Sequence, residues 1–185
     1  KEAVIAAIEA RIVADPVPFD TLADPDPATD PYRPVRLSGR TTGEEALVLS
    51  GRKGGGAGYE VIAAFETEGG RRILLDRGFL PESGRGMPRQ PVALAVTGNL
   101  HWPDETDAFT PAPDTAGGLW FARDVPALAA ALGTEPVMVV ARDVEGDMQG
   151  VEPVPVGIDG IPNDHRNYAI TWFSLAAVWA GMPRP

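Results

Sequence analysis

Cysteine is absent from the 185-residue chain, which excludes disulfides, thiolate zinc sites and cysteine nucleophiles together. Histidine is nearly absent, with only His101 and His165. A Ser-His-Asp arrangement would need one of them, and neither stands beside a Gly-x-Ser-x-Gly elbow. A zinc site would need several imidazole or carboxylate ligands, and no pair sits at ligand spacing. Positive charge is short as well: the formal net charge is −10. That balance argues against nucleic acid, which demands a basic face, and against an anionic membrane surface as the main partner. Lysine is the scarcest cation, two against fourteen arginines, and with abundant Ala, Gly and Pro this suggests a bacterial coding sequence rich in G and C. No signal peptide is visible, but the chain opens at Lys1 without a methionine, which leaves room for an upstream segment.

What is present reads as one domain large enough for a proper core. Glu2 to Val13 places Val4, Ile5, Ile8 and Ile12 at helical spacing, and Pro16 stops the helix. Asp15 to Pro34 holds six prolines and five aspartates and reads as a loop wrapped over the domain. Strand character follows in Val35 to Thr41, Ala46 to Ser50, Tyr59 to Thr67, Arg71 to Phe79 and Val92 to Leu100, bounded mostly by Gly, Pro or charge. The segment RKGGGAGYE lacks the closing Gly-Lys-Ser/Thr of a phosphate loop and reads as a hairpin connection. Glu66 to Gly70 predicts a second hairpin. Asp124, Pro126 and Gly133 mark the cap, first turn and end of a short Ala-rich helix. Val137 to Asp143 is a further β-branched strand, and Gly146 to Ile161 is a Pro/Gly-rich return.

The expected architecture is α+β and mainly antiparallel β. It is a barrel-like or strongly curled sheet of about six or seven strands, with short flanking helices and long Pro/Gly-rich loops. Arg71 to Phe79 is expected to be a central, buried strand. Within it Gly78 suits a bulge or a close backbone approach, and Arg77 is a partner for a carboxylate. Glu44, Glu45, Asp104 and Glu105 sit in turns and read as a solvated face, and His101 reads as a loop surface residue.

The last stretch, PNDHRNYAITWFSLAAVWAGM from Pro162 to Met182, organises the rest. Tyr168 to Met182 carries no formal charge over fifteen residues, fewer than the ~20 that span a bilayer. Its apolar residues go all the way round, unlike a soluble surface helix, and Tyr168, Trp172 and Phe173 resemble an interfacial aromatic belt. Two readings stand: the opening part of a membrane helix, which is preferred, or a buried core helix. If Asn163 caps this helix, His165 lies in the first turn and shares a face with Tyr168, Ala169 and Trp172. The positive helix end favours a neutral imidazole, the form that ligates iron, beside an apolar aromatic surface suited to a porphyrin. The alternative is a hydrogen-bonding residue that only positions the helix.

The string PNDHRNYAITWFSLAA resembles the C-terminal signature of the surfeit locus protein 1 family, assembly factors of haem-copper cytochrome c oxidase. Arg166 stands where that family usually has leucine. RRILLDRGFLP resembles its internal strand motif, with Asp76 where asparagine is usual, and LWFARD resembles its Trp-Phe-x-Arg-Asp. Lys1 to Arg11 resembles the segment that leaves the family's first membrane helix. The resemblance implies a membrane-tethered, non-enzymatic assembly factor in the bacterial inner membrane with its domain in the periplasm. It implies three segments: residues 1–16 after a first membrane helix, residues 17–161 as the β-rich domain, and residues 162–185 as the histidine turn and start of a second membrane helix. It further implies haem a as cofactor, His165 as the iron ligand with Tyr168 and Trp172 beside it, and no catalytic residue. The implied partners are the catalytic subunit of the oxidase and membrane lipid around the terminal helices. The alternatives are a β-barrel interaction module that stabilises an oxidase subunit without haem, and a soluble extracytoplasmic ligand-binding domain.

Overall fold

The structure, a computed structural model, describes residues 2–52 and 56–157. The middle of the glycine-rich link and everything from Ile158 onward, including His165, Tyr168, Trp172 and the apolar run to Met182, lie outside the described residues. The elements are α1 (Glu2–Ile12), β1 (Val17–Pro18), β2 (Pro34–Arg52), β3 (Gly56–Thr67), β4 (Arg72–Pro81), β5 (Ala93–Leu100), β6 (Leu119–Trp120), α2 (Val125–Leu132) and β7 (Met138–Glu145). Among the described residues no helix is long and apolar enough to cross a membrane.

Five strands close on themselves. β2 pairs with β3, β3 with β4, β4 with β7, β7 with β5, and β5 returns to β2. The result is the α+β, barrel-like arrangement expected from the strand pattern. Its plan is the closed Greek key that OB-folds also use, and a plan of this kind does not by itself name a function. Most pairings are antiparallel; β4–β7 is parallel, as are the two-residue rungs that β1 and β6 add to β2. A parallel pair needs a long crossover, and the stretch from Pro81 to Met138, which carries β5 and α2, supplies it.

Two strands expected separately, Val35 to Thr41 and Ala46 to Ser50, are one strand in the structure. The register shifts between Thr41 and Glu45. Before the shift, odd-numbered Val35 and Leu37 are buried; after it, even-numbered Ala46 and Val48 are. The bulge puts two extra β2 residues between Thr41 and Glu45, which face Phe65 and Ala63, so odd residues keep their face. Val35 and Leu37 are buried on one face, and Ala46 and Val48 on the other, under α2. Gly43, at φ +89°, takes the conformation this corner needs. The sequence pattern broke there, and the backbone ladder did not.

β4 lies between β3 and β7 and is buried along nearly its whole length, as expected for a central strand. Ile73 and Leu75 join Phe65, Leu94, Val96, Val139 and Ala141 on one face. Leu74 joins Ile62, Met138 and Val140 on the other, under Trp120 and the α2 residues Val125, Leu128 and Ala129. Full burial of a side chain such as Leu128 contributes about 1.5–3 kcal/mol. α2 starts where Asp124 accepts a hydrogen bond from the Ala127 amide at 3.1 Å, and it ends on Gly133 in the left-handed region, as its sequence signals predict.

Gly78 combines both roles foreseen for it. The β3–β4 register shifts between Glu60 and Ile62, which pair with Phe79 and Asp76, so Arg77 and Gly78 together oppose one β3 residue. Gly78 has φ +110°, and a Cβ there would lie 2.1 Å from the Glu152 carbonyl oxygen. That closeness lets the 146–157 return segment bond across Phe79, with Phe79 N to Glu152 O at 2.8 Å and the reverse at 2.9 Å. Arg77 is buried, but its recorded partners are the Gln149 amide oxygen and the Asp147 and Met148 carbonyls. The carboxylate partner expected for it is replaced by a loop that wraps the guanidinium in neutral oxygens.

Gly78→Ala is expected to lower stability by about 2–4 kcal/mol, because it adds backbone strain to a contact with no room to give. Gly86, where a Cβ meets nothing within 4 Å, should tolerate alanine to within about 0.5 kcal/mol. Urea unfolding midpoints of the two variants check this, and equal losses would contradict it.

Candidate functional site

Two acidic residues stand inside largely apolar strand runs: Glu60 in YEVIAAF of β3 and Asp76 in RILLDRGF of β4. Ile62 pairs with Asp76 across the ladder, which brings the two carboxylates to one end of the same strand pair. Arg123 reaches them from the turn between β6 and α2, held in place because the next residue, Asp124, is the helix cap. Its Nη1 lies 3.1 Å from Asp76 Oδ2 and its Nε 3.2 Å from Glu60 Oε2. Glu105, from the loop after β5, binds the same guanidinium at 2.5 Å through Nη2 and 3.0 Å through Nε. Its other oxygen accepts the Arg123 backbone N–H at 2.9 Å. Three carboxylates thus share one cation. The motifs DRGF and WFARD, far apart in the chain, meet at Asp76 and Arg123.

The cluster floors a cleft of about 450 Å³ lined by Tyr32, His101, Trp102, Asp104, Val140 and Val154–Gly157 among others. His101 is therefore not the loop surface residue its position suggested. It is half-buried, its ring centroid is 5.4 Å from that of Tyr32, and its backbone N–H donates to Met138 O at 3.0 Å. The solvated-face reading also needs correction for two acids. Glu105 is engaged by Arg123, and Glu45 is held by Arg89, whose side chain is itself only 5% exposed. Glu44 stays exposed while bonding Arg72, and Asp104 sits exposed on the cleft wall.

These positions set the protonation states. Burial pushes the Asp76 carboxyl up to about 7, the Glu60 charge adds to this, and Arg123 holds it back. Glu60 is raised by burial, partly offset by Arg123. For Glu105, burial works upward but is outweighed by the bonds and charge of Arg123, so it ionises more readily than usual. Burial, then the Arg123 charge, pushes His101 down to about 4, against the pull of Glu105. The site therefore holds a dissociable proton near neutral pH beside a neutral imidazole. Among the described residues no group of three or more His, Cys, Asp or Glu is placed to hold a metal ion.

Glu60 and Arg123 were not singled out in the sequence. The available signal was an acid inside each of two apolar strands, since a charge in a buried strand demands a partner. Nothing local pointed to Arg123 as that partner. The residues expected to bind a cofactor, His165, Tyr168 and Trp172, all lie outside the described residues.

The fold and site define a small closed β-barrel with one buried charge cluster at the base of a loop-walled cleft. The sequence model of the SURF1 family matches residues 1–177, and the chain belongs to that family. It is 27% identical over 199 residues to surfeit locus protein 1 of Rattus norvegicus, an alignment covering 94% of this chain and 63% of that protein. Over 92 residues it is 36% identical to surfeit locus protein 1 of Arabidopsis thaliana, covering 45% of this chain and 26% of that one. A SURF1-like protein of Rickettsia bellii is 26% identical over 157 residues, covering 80% and 65%. The chain thus spans less than two thirds of the length of these relatives.

Asp76 and His101 titrate with opposite effects on stability. Asp76 binds its proton more tightly folded, up to about 7, than its ordinary 3.8. Its contribution is full below the ordinary value and is lost as pH rises through about 7. His101 is depressed from 6.5 to about 4, so its contribution is full above 6.5 and is lost as pH falls through about 4. The two slopes, each at most about 1.4 kcal/mol per pH unit, oppose one another in between. Asp76→Asn keeps an oxygen for the Gly78 N–H and should fold. Its stability relative to the parent should improve steadily as pH rises from about 4 to about 7. His101→Gln should differ from the parent in the same pH range by gaining as pH falls. Chemical denaturation across that range checks both signs.

Proposed function

We propose that the protein is a membrane-tethered assembly factor for haem-copper cytochrome c oxidase that assists insertion or handover of haem a to the catalytic subunit. On this reading it is not an enzyme, it sits in the bacterial inner membrane with the barrel on the periplasmic side, and membrane lipid surrounds its terminal segments. The observation that carries the reading is the string PNDHRNYAITWFSLAA, with His165 at the motif position, in a chain whose membership of the SURF1 family rests on residues 1–177. His165 is the proposed iron ligand, with Tyr168 and Trp172 three and seven positions on, a spacing that would share one face if the segment is helical.

The cleft in the barrel does not suit this cofactor. Glu60, Asp104 and Glu105 line it with Arg123, and that guanidinium is already engaged by Asp76, Glu60 and Glu105. Among the described residues, the propionates of a haem would meet net negative charge there and no free cation. The proposal therefore assigns cofactor contact to the His165 turn and gives the barrel the part of a docking body. The same mismatch favours a second reading, in which the barrel stabilises an oxidase subunit and no haem binds.

Absorption spectra separate the two. The full-length protein, co-expressed with haem a synthesis and purified, should carry a Soret band. His165→Ala should abolish or shift that band with the domain still folded, since alanine is well tolerated in a first helical turn, and His101→Ala should leave it unchanged. A wild-type spectrum in His165→Ala would remove the ligand role, and no band in the parent would favour the haem-free module.

A further inference from the structure

The loop that walls the cleft is fastened in an unusual way. At one end Trp102 Nε1 donates to Pro136 O at 2.9 Å. At the other, Asp114 and Leu119 exchange backbone hydrogen bonds of 2.9 and 3.0 Å. Between them, the recorded bonds of residues 103–113 stay within an Asp107 turn, to Phe109 and Thr110, except for those of Glu105. Phe109 is 90% exposed, so packing does not hold the stretch down. Among the described residues the loop is a strap with two fixed ends and one fastening in its span.

That fastening is shared property. Arg123 also binds Asp76 and Glu60. Side-chain exposure grades from 3% at Asp76 through 17% at Glu60 to 35% at Glu105. With Asp76 protonated, two carboxylates face one guanidinium. With Asp76 ionised, three do, and their mutual repulsion must be relieved. Asp76 and Glu60 are anchored on adjacent barrel strands. Glu105 alone is on a loop and can regain water by leaving, so it is the member that moves.

We propose that Glu105 is the latch of a proton-controlled strap: residues 103–113 close over the cleft while Asp76 is protonated, and swing away when it ionises. Opening uncovers the Tyr32 and His101 wall of the cleft. Among the described residues, the charged and titratable groups on Asp76's side of the cleft are Glu60 from β3, Arg123 from the turn before α2, Glu105 and Asp104 from the strap, His101 from the end of β5, and Tyr32 before β2. β7 contributes Val140, and the 154–157 segment is uncharged. His101 stays neutral across the range in question and leaves the count of charges unchanged. The latch does not depend on the haem reading.

Because the chain has no cysteine, Thr106→Cys gives a single attachment point for a nitroxide on the strap. Electron paramagnetic resonance of the labelled chain from about pH 5.5 to about 8.5 should show a restrained component giving way to a mobile one. For a one-proton latch, the open-to-closed ratio changes by at most about tenfold per pH unit. Adding Asp76→Asn should keep the strap restrained throughout, and adding Glu105→Gln should leave it mobile throughout, with circular dichroism unchanged in both. A spectrum independent of pH in the otherwise unaltered chain would overturn the proposal. So would a transition that persists in the Asp76→Asn background.

Discussion

Closure of this barrel depends on β2 turning a corner without breaking its hydrogen-bond ladder. One 19-residue strand gives its first half to β5 and its second half to β3, and the two halves meet at the Thr41–Glu45 irregularity. Thr41 is tied to Val92 through both its backbone N–H, at 3.0 Å, and its hydroxyl oxygen, which accepts the Val92 N–H at 2.9 Å. Gly39 and Arg40 carry both ladders at once, β5 on one side and β3 on the other, and the bend follows directly after this overlap. Alternation continues unshifted across the bend, and the apolar residues change faces there. Val35 and Leu37 go with Ile73 and Leu75, while Ala46 and Val48 go with Leu74 and α2.

Electrostatics follow from the same closure. Bringing β3 beside β4 puts Glu60 and Asp76 where water is scarce, and an acidic chain has few cations to spend on them. Arg123 serves both because α2 needs a cap at Asp124, which fixes the preceding residue. The cluster is therefore a by-product of helix capping as much as of strand pairing. One residue along β4, Arg77 shows the opposite solution, a buried cation whose Nη atoms meet neutral loop oxygens in place of acids.

How legible this was in the sequence depended on range. β4 could be read from RILLDRGF because apolar content and turn signals are local, and so could the cap at Asp124 and the stop at Gly133. Gly43 with Glu44 and Glu45 looked like a turn because charge and glycine usually end a strand, whereas here they sit in a bulge, with Glu44 exposed and Glu45 held by the buried Arg89. His101 looked exposed because it begins a long Pro-rich loop, and only the fold shows Tyr32 and Trp102 beside it. The triple sharing of Arg123 joins residues separated by tens of positions along the chain, and no periodicity encodes such a meeting. The proposed cofactor residues were legible only through a resemblance, since a lone histidine before an apolar run has several physical meanings.

The carboxyl end of α1 carries a consequence of a mechanical kind. The Ile12 carbonyl, one of those a helix end leaves unpaired, accepts from Asn99 Nδ2 at 2.9 Å and from Arg142 Nη1 at 3.2 Å. Asn99 belongs to β5 and Arg142 to β7, so the helix is pinned at the seam between two barrel strands. An eleven-residue helix is a rigid arm of about 16 Å, and a tilt of about 10° at the pin displaces its far end by about 3 Å. A pull at the amino end of α1 is therefore delivered, with leverage, to the β5–β7 seam. β5 runs directly into His101 and the strap, so the helix and the cleft are mechanically joined through one strand.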